Sequence, residues 1–170
     1  SWDQVREMAA SGLIEFASHS DGMHRGVPGN AQGNAQPAAA TLAYDAQTGR
    51  YESAEAYADR VRQDLRRSRA LIEAQTGVPV RVMVWPYGAY TETALALARD
   101  AGMPITFTLQ EGANPPDVPL QTIRRGLATY DMTVPDHTLF RAPAGDGSIF
   151  PLNRAMHVDL DYVYDPDPAQ

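Results

Sequence analysis

Helix-like and strand-like segments alternate along this chain, and that alternation restricts its possible folds more than any other feature. A long helix is predicted from Ser53, a good N-cap residue, to Gly77, which favours a helix end. Residues 80–85 then predict a strand, residues 91–101 a helix and residues 105–109 a strand. This order is typical of a parallel α/β sheet or barrel and not of a β-sandwich or a helix bundle. One stripe of the long helix is apolar, formed by Tyr57, Val61, Leu65 and Ile72.

Three further segments extend the alternation. Apolar residues recur at helical spacing from Trp2 to Ala9 and stop before Gly12, so a first helix is expected there. The mostly apolar run at residues 13–17 predicts a buried strand, and residues 121–128 predict another. The predicted fold class is therefore α/β.

Composition fits a globular domain and argues against several other classes. The chain has 170 residues, of which 44% are hydrophobic and 21% charged, and no run of 18 apolar residues suggests a membrane span. The formal net charge is −7 and no arginine cluster lies beside aromatic residues, so nucleic acid is not an expected partner. Because cysteine is absent, disulfides and thiolate metal sites are excluded. Arg66, Arg67 and Arg69 are expected to form a solvated helix face.

Two histidines, His19 and His24, stand five residues apart in the stretch ASHSDGMHRG. On a helix that spacing separates two side chains by roughly 140°, and on a strand the two would face opposite sides. A strand that ends near His19 and turns through Gly22 can bring both rings to one point, at the strand end where α/β folds place their chemistry. Two such rings could bind a metal, or they could be satisfied by backbone and core contacts.

Two other segments could belong to a site. Residues 27–50 are rich in glycine and proline, which predicts a long loop, and their position beside the histidines favours a lid over disorder. The sequence Trp85-Pro86-Tyr87-Gly88 ends a predicted strand. It could place a ring and backbone N–H groups on the rim of a pocket, or it could simply end the strand with buried aromatic residues.

Three stretches together resemble one known family. HSDGMH resembles the metal-binding H-[ST]-x-x-x-H motif of the polysaccharide deacetylases with NodB homology (carbohydrate esterase family 4), and WPYG resembles the P-Y motif on their groove wall. The stretches YDAQTGRYES and RVMVWPYGAY are more similar still to the biofilm poly-β-1,6-N-acetyl-D-glucosamine deacetylases of Gram-negative periplasms. The similarity covers about residues 1–130.

This resemblance implies a fold and a reaction. The fold is a distorted (β/α) barrel, of which this chain would form part. The reaction is metal-dependent N-deacetylation of poly-β-1,6-N-acetyl-D-glucosamine during export of a biofilm exopolysaccharide. One divalent metal ion (Zn, Ni, Co or Fe) would be held by His19, His24 and an aspartate, with a position left open for water. Trp85, Pro86 and Tyr87 would bind substrate, and the backbone N–H of Tyr87 would stabilise the oxyanion.

The chain departs from the family pattern in what precedes the histidines. The family's first motif contains a pair of aspartates, of which one is the third metal ligand and the other the catalytic base. No such pair precedes His19 in this chain. His137 and His157 lie in the wrong contexts to be the catalytic acid. Val84 stands where many relatives have an arginine that orients the base. We therefore expect the base, the acid and the third ligand upstream of this chain, and we expect the chain alone to be inactive. If it proved active, a carboxylate such as Asp21 would have to serve.

The resemblance also suggests how the chain is divided. Residues 1–142 are expected to be the C-terminal part of the deacetylase domain, residues 143–154 a linker, and residues 155–170 the start of a following glycoside-hydrolase-like domain. A periplasmic location is implied, with a lipidated outer-membrane anchor at an N-terminus absent from this chain. The competing interpretation of the last segment is a carboxylate metal site, formed by Asp159, Asp161 and Asp165.

Three functions remain open on the sequence alone. The first is the metal-dependent deacetylase of poly-β-1,6-N-acetyl-D-glucosamine. The second is a deacetylase of another glycan such as chitin or peptidoglycan, and the third is a non-catalytic glycan-binding module of the same fold that has lost the aspartates. An upstream aspartate pair would separate the first two from the third, and a panel of substrates would separate the first from the second.

Overall fold

Helices and strands alternate through residues 1–125, the part of the chain that the computed structural model describes. Three helices, six short strands and one 3₁₀ turn follow one another there. In chain order they are α1 (Trp2–Ala10), β1 (Gly26–Pro28), β2 (Ala35–Pro37), β3 (Tyr44–Asp45), β4 (Arg50–Tyr51), α2 (Ala54–Thr76), β5 (Val82–Val84), the 3₁₀ turn (Pro86–Gly88), α3 (Glu92–Asp100) and β6 (Ile105–Phe107).

Four parallel backbone segments form the frame of this part. β5 pairs with β6, with Met83 opposite Thr106. Single bridges extend the parallel pairing on both sides, from Ser18 to Met83 and from Phe107 to Ile123. Because α2 comes between Ser18 and β5 in the chain, and α3 between β5 and β6, the chain repeats the order strand, helix, parallel strand. The predicted α/β class is confirmed.

Helix α2 has the predicted ends and the predicted buried stripe. The hydroxyl of Ser53 accepts a hydrogen bond from the N–H of Ala56 at 3.1 Å, and Gly77 ends the helix with a φ of 71°, which glycine adopts without strain.

No helix within residues 1–125 is long and apolar enough to cross a membrane. The core residues with no exposed surface are Ala38, Ala39, Val61, Leu65, Met83, Trp85, Ala94, Ala98 and Met103.

Residues 27–50 do not form the predicted irregular loop. They take part in two antiparallel hairpins, in which β1 pairs with β2 and β3 with β4. Between the hairpins, Ala38 and Ala39 are fully buried, and the hydroxyl of Tyr57 donates to the carbonyl of Ala39 at 2.6 Å. The loop prediction is wrong because the segment that joins the hairpins packs into the core.

Arg60 of α2 joins the hairpins to the helix. Its guanidinium donates to the carbonyls of Ala38 at 2.9 Å and Thr41 at 3.0 Å. It also donates to both carboxylate oxygens of Glu52, at 2.9 and 2.8 Å. The hydrogen bond from Arg60 is the largest cause that lowers the pKa of Glu52 below its usual value, because it stabilises the charged carboxylate. Burial raises the pKa of the neighbouring Tyr57.

The prediction of a buried strand at residues 13–17 is wrong. Ser18, the next residue, makes a single bridge to β5, while Leu13 is 87% exposed and Ile14 is 39% exposed. Within residues 1–125, Ser18 has a strand partner on one side only. The apolar run therefore lacks, in this part of the chain, the second neighbour that a central strand has.

The other element predictions agree with the structure or fall outside it. Helix α1 is confirmed, and α3 is confirmed with Thr91 as its N-cap, whose hydroxyl accepts the N–H of Ala94 at 3.0 Å. The strand predicted at residues 121–128 is present only as a single bridge at Ile123 in the described part, and residues 126–128 lie outside it. The domain boundaries predicted at residues 142 and 154 lie outside the described residues. So do His137, His157, Asp159, Asp161 and Asp165.

Candidate functional site

The two histidines meet beside Tyr87, at one end of the parallel segments. His19 follows the bridge at Ser18, and Tyr87 lies in the 3₁₀ turn that follows β5. The ring centroids of His19 and His24 are 4.8 Å apart, and those of His24 and Tyr87 are 4.6 Å apart, both in edge-to-face arrangements. All three side chains are accessible from solvent in the described part. The structure thus brings together the residues that HSDGMH and WPYG singled out, although their roles stay predictions.

A backbone carbonyl fixes the tautomer of His19. Its Nδ1 lies 2.8 Å from the carbonyl oxygen of Val84. Since a carbonyl can only accept, the proton sits on Nδ1 and the lone pair on Nε2, the atom through which this ring would bind a metal. Metal-bound histidines are commonly oriented in this way by a hydrogen bond at the other ring nitrogen. The contribution of Val84 is a backbone group, which any side chain at this position would keep.

The histidine turn, residues 19–24, contains a strained residue. Within residues 1–125, Ser20 and Tyr87 are the two non-glycine residues with positive φ, at 78° and 57°. A left-handed conformation costs a non-glycine residue roughly 1 kcal/mol or more, so surrounding contacts have to hold it. The Ser20 hydroxyl accepts the N–H of Met23 at 3.1 Å, and its own N–H donates to the Ser18 hydroxyl at 3.2 Å. Met23 is 2% exposed, so it fixes the turn in the core while His24 emerges beside it.

A buried carboxylate that sequence reasoning missed holds the middle of the histidine turn. Asp64 of α2 is 3% exposed. One of its oxygens accepts the backbone N–H of Asp21 at 2.9 Å, and the other accepts that of Gly22 at 2.7 Å. A signal was available, because Asp64 lies three residues after Val61 and therefore close to the apolar stripe of α2. A charged residue at such a position needs a partner in the core.

Two more residues of α2 contact the same region. The hydroxyls of Ser68 and Ser18 are 2.7 Å apart in the interior. Nε of Arg67 donates to a carboxylate oxygen of Asp21 at 3.0 Å, so Arg67 is not merely part of a solvated face. The side chain of Arg67 is nevertheless 61% exposed, so this ion pair contributes little to stability.

The WPYG turn presents Tyr87 and buries the residues before it. Trp85 is 0% exposed and Pro86 is also buried, whereas Tyr87 is 50% exposed. Within residues 1–125, the N–H of Tyr87 donates to no acceptor, unlike that of Gly88, which donates to the carbonyl of Trp85 at 2.9 Å. A substrate-binding role for the three residues stays a prediction. In this geometry Trp85 and Pro86 would act by placing Tyr87.

The two imidazoles fit part of a metal-binding set. An open catalytic site for a divalent metal normally uses three protein ligands, and neutral imidazole nitrogens suit Zn, Co, Ni and Fe alike. In the described residues no group of three or more His, Cys, Asp and Glu side chains could hold a metal ion. Asp21 lies between the histidines in sequence, but its carboxylate pairs with Arg67. A third ligand would have to come from outside residues 1–125.

Comparisons with known sequences match the region that holds these residues. The profile of a family described as polysaccharide deacetylase matches residues 1–106. Two curated proteins, from Escherichia coli strains K12 and O157:H7, are each 34% identical to this chain over 171 aligned residues. Both are named poly-beta-1,6-N-acetyl-D-glucosamine N-deacetylase. The alignments cover 100% of this chain and 25% of each relative, so the chain spans about a quarter of the length of the curated relatives it matches.

Solved structures share the arrangement of helices and strands described above. The BpsB deacetylase domain from Bordetella bronchiseptica is 52% identical with a TM-score of 0.71, over 74% of this chain and 48% of that chain. A de-N-acetylase from Aggregatibacter actinomycetemcomitans is 41% identical with a TM-score of 0.68, over 75% and 47%. IcaB from Ammonifex degensii is 27% identical with a TM-score of 0.54, over 77% and 48%.

Proposed function

This chain belongs to the polysaccharide deacetylase family, and we propose that the protein containing it removes acetyl groups from poly-β-1,6-N-acetyl-D-glucosamine in a metal-dependent reaction. The observation that carries the proposal is the convergence of His19, His24 and Tyr87 in an exposed cluster at the ends of parallel segments. The choice of polymer is supported by the names of the two curated relatives.

Each residue of the cluster has a distinct part in this proposal. His19 and His24 would hold one divalent metal ion, with His19 binding through Nε2 because its Nδ1 proton is engaged by the Val84 carbonyl. Such an ion, when bound, acidifies water and polarises the acetyl carbonyl. The backbone N–H of Tyr87 would donate to the carbonyl oxygen of the acetyl group as negative charge builds on it. The half-exposed ring of Tyr87 would contact the sugar.

The remaining roles have no residue among those described. We propose that two aspartates and a histidine from outside residues 1–125 supply the third ligand, the base and the acid, as the family resemblance implies. Asp21 is a poor substitute because its carboxylate is already paired with Arg67. Imidazole nitrogens suit Zn, Ni, Co and Fe, so the proposed ion is one of these four.

The proposed substrate implies a place of action. Since the polymer is an exopolysaccharide of biofilms, we propose that the protein acts during its export, in the periplasm of a Gram-negative cell, held at the outer membrane by a lipidated N-terminus. A glycoside-hydrolase-like domain after this chain is the proposed covalent partner. The curated relatives are long enough to contain further domains.

Acetate release by the full-length protein tests the proposed activity. Poly-β-1,6-N-acetyl-D-glucosamine, chitin and peptidoglycan are offered at equal acetyl concentration, with wild-type protein and the His19→Ala variant. We expect acetate from the first polymer with wild-type protein and none with the variant. Release from chitin or peptidoglycan instead would overturn the proposed substrate. Binding of a glycan without release from any polymer would favour the non-catalytic module.

A further inference from the structure

The histidine turn depends on one buried side chain that belongs to another element. The amides of Asp21 and Gly22, which lie between the two histidines, both donate to the carboxylate of Asp64. Asp64 is 3% exposed and lies on α2, one residue before Leu65, which has no exposed surface. The turn is therefore fixed to a helix whose neighbouring residues Val61 and Leu65 lie in the core.

Two bonds to one carboxylate restrict the turn more than two bonds to separate groups would. Each of the two oxygens accepts from one of two successive amides, at 2.9 and 2.7 Å, so the pair of bonds restrains both the position and the orientation of the turn. Hydrogen bonds to a charged acceptor are shorter and stronger than neutral ones. They also help to hold Ser20, one residue earlier, at its left-handed φ of 78°.

Metal ligands have to be held within a narrow range of positions. Productive geometry tolerates displacements of about 0.5 Å, and residues behind the ligands commonly provide that precision. His19 is oriented by the Val84 carbonyl, but no bond to β5 orients the backbone that carries the chain from His19 to His24. In the described part, the only side chain that contacts two backbone amides of this turn is Asp64.

We propose that Asp64 is a positioning residue, which sets the separation of His19 and His24 by fixing the two amides between them. This inference rests on the proposed metal-dependent function. Asp64 does not touch the metal or the substrate in this scheme, and it acts only through the backbone of the histidine turn. Its removal should therefore weaken metal binding and alter the ligand geometry while both histidines remain.

The test compares Asp64→Ala and Asp64→Asn with wild-type protein in the full-length chain freed of metal. Asparagine keeps nearly the same volume and one acceptor oxygen, so it also serves if the alanine variant does not fold. Asp59→Asn is the matched control, since Asp59 is an exposed carboxylate of α2 whose ion-pair partner among residues 1–125 is Arg62. His19→Ala gives the reference for a site that lacks a ligand.

Two measurements are made on each variant. Titration with Co²⁺, followed by its ligand-field absorption, gives affinity and geometry, and we expect Asp64→Ala to bind about 10–100-fold more weakly with a shifted spectrum. Asp64→Asn should fall between Asp64→Ala and wild type, and Asp59→Asn should match wild type. Amide hydrogen exchange in the metal-free protein should become faster at Asp21 and Gly22 in the Asp64 variants and stay unchanged in Asp59→Asn.

The outcomes separate this inference from the proposed function. If Co²⁺ binds wild type and the Asp64 variants with the same affinity and spectrum, while His19→Ala loses binding, the role of Asp64 is overturned and the metal site stands. If wild type binds no more tightly than His19→Ala, the metal site itself is overturned, and the role of Asp64 with it.

Discussion

His19 and His24 are held in the site by different contacts, so each should be needed for metal binding. The Val84 carbonyl fixes the tautomer of His19, whereas His24 packs edge-on against His19 and Tyr87. If either ring is removed, the contacts that hold the other ring do not supply a replacement nitrogen ligand. In the full-length protein the proposed site has three protein ligands, and the loss of either histidine would leave two, fewer than open catalytic sites use, so a divalent ion would be bound weakly.

The first prediction is that His19→Ala and His24→Ala each remove bound metal from the full-length protein. Elemental analysis after dialysis should give one divalent ion per chain for wild type and almost none for either variant. His137→Ala is the control, because the sequence context excludes that histidine from the motif. Full metal content in the His19→Ala, His24→Ala double variant would show that the ion is bound elsewhere.

At this scale the sequence reveals the residues that have a recognisable motif. His19, His24 and Tyr87 follow from residue type, spacing and the family resemblance. Asp64 does not follow from these signals, because an aspartate on a charged helix is usually solvated. Its two hydrogen bonds are to residues more than 40 positions away in the chain, and the sequence does not reveal that contact. Its closeness to the stripe of Val61 and Leu65 was the available signal.

At the scale of elements, α2 supports both the histidine turn and the two hairpins. Arg60 reaches the segment between the hairpins and also the carboxylate of Glu52, whose pKa it lowers. A carboxyl whose pKa is lowered in the folded state stabilises that state at pH values above the pKa of the unfolded state, which is near 4.5. That stabilisation is lost as the pH falls through the lowered value of the folded state.

The second prediction concerns Glu52→Gln. At pH 7 the variant should be less stable than wild type by roughly 1–2 kcal/mol, since a charge-assisted bond becomes a neutral one. The difference should shrink as the pH falls through the lowered pKa of the folded state, because the Glu52 carboxylate of wild type then becomes protonated. Urea unfolding at several pH values measures it. Glu7→Gln, a change at an exposed carboxylate of α1, is the control, and a pH-independent difference for Glu52→Gln would contradict the assignment.

The third prediction compares two glycines with similar backbones. Gly77 and Gly88 have φ values of 71° and 65°, but a Cβ at Gly77 would meet nothing within 4 Å, whereas at Gly88 it would lie 2.6 Å from the backbone nitrogen of Leu109. Gly77→Ala should lower the free energy of unfolding by about 1 kcal/mol, because alanine is strained at this positive φ. Gly88→Ala should cost about 2–4 kcal/mol, because the backbone overlap adds to it. Equal losses of stability in thermal unfolding would contradict the prediction, because they would show that the WPYG turn shifts to accommodate the Cβ without cost.

Element prediction succeeds where local signals agree and fails where distant contacts decide. The caps Ser53 and Gly77 and the apolar stripe between them specify α2 locally. The run at residues 13–17 has a strand pattern, but pairing requires neighbours, and the described part gives it a single bridge through Ser18. Residues 27–50 contain turn residues that indicate a loop, whereas burial of the segment between the hairpins depends on Tyr57 and Arg60 of α2.

At the scale of the whole molecule, the described part contains some of the groups that the proposed site needs. The imidazoles of His19 and His24 and the ring of Tyr87 converge, while a third metal ligand does not occur with them in residues 1–125. The chain covers about a quarter of its curated relatives and about half of the solved chains it resembles. The α/β class could be predicted from the alternation of elements, but no feature of residues 1–125 could supply the position of groups that lie outside them.

The last prediction is that the 170-residue chain alone releases no acetate, whereas the full-length protein does. Without a third ligand the ion would be bound weakly, and without a carboxylate base no group would take the proton of the attacking water. Poly-β-1,6-N-acetyl-D-glucosamine is incubated with the full-length protein, with residues 1–170, and with residues 1–170 mixed with the segment that precedes them in the protein. Acetate should appear with the first and, if the two pieces associate, with the third. Comparable release by residues 1–170 alone would mean that one of their own carboxylates acts as base, and Asp21→Asn would then identify whether it is the one paired with Arg67.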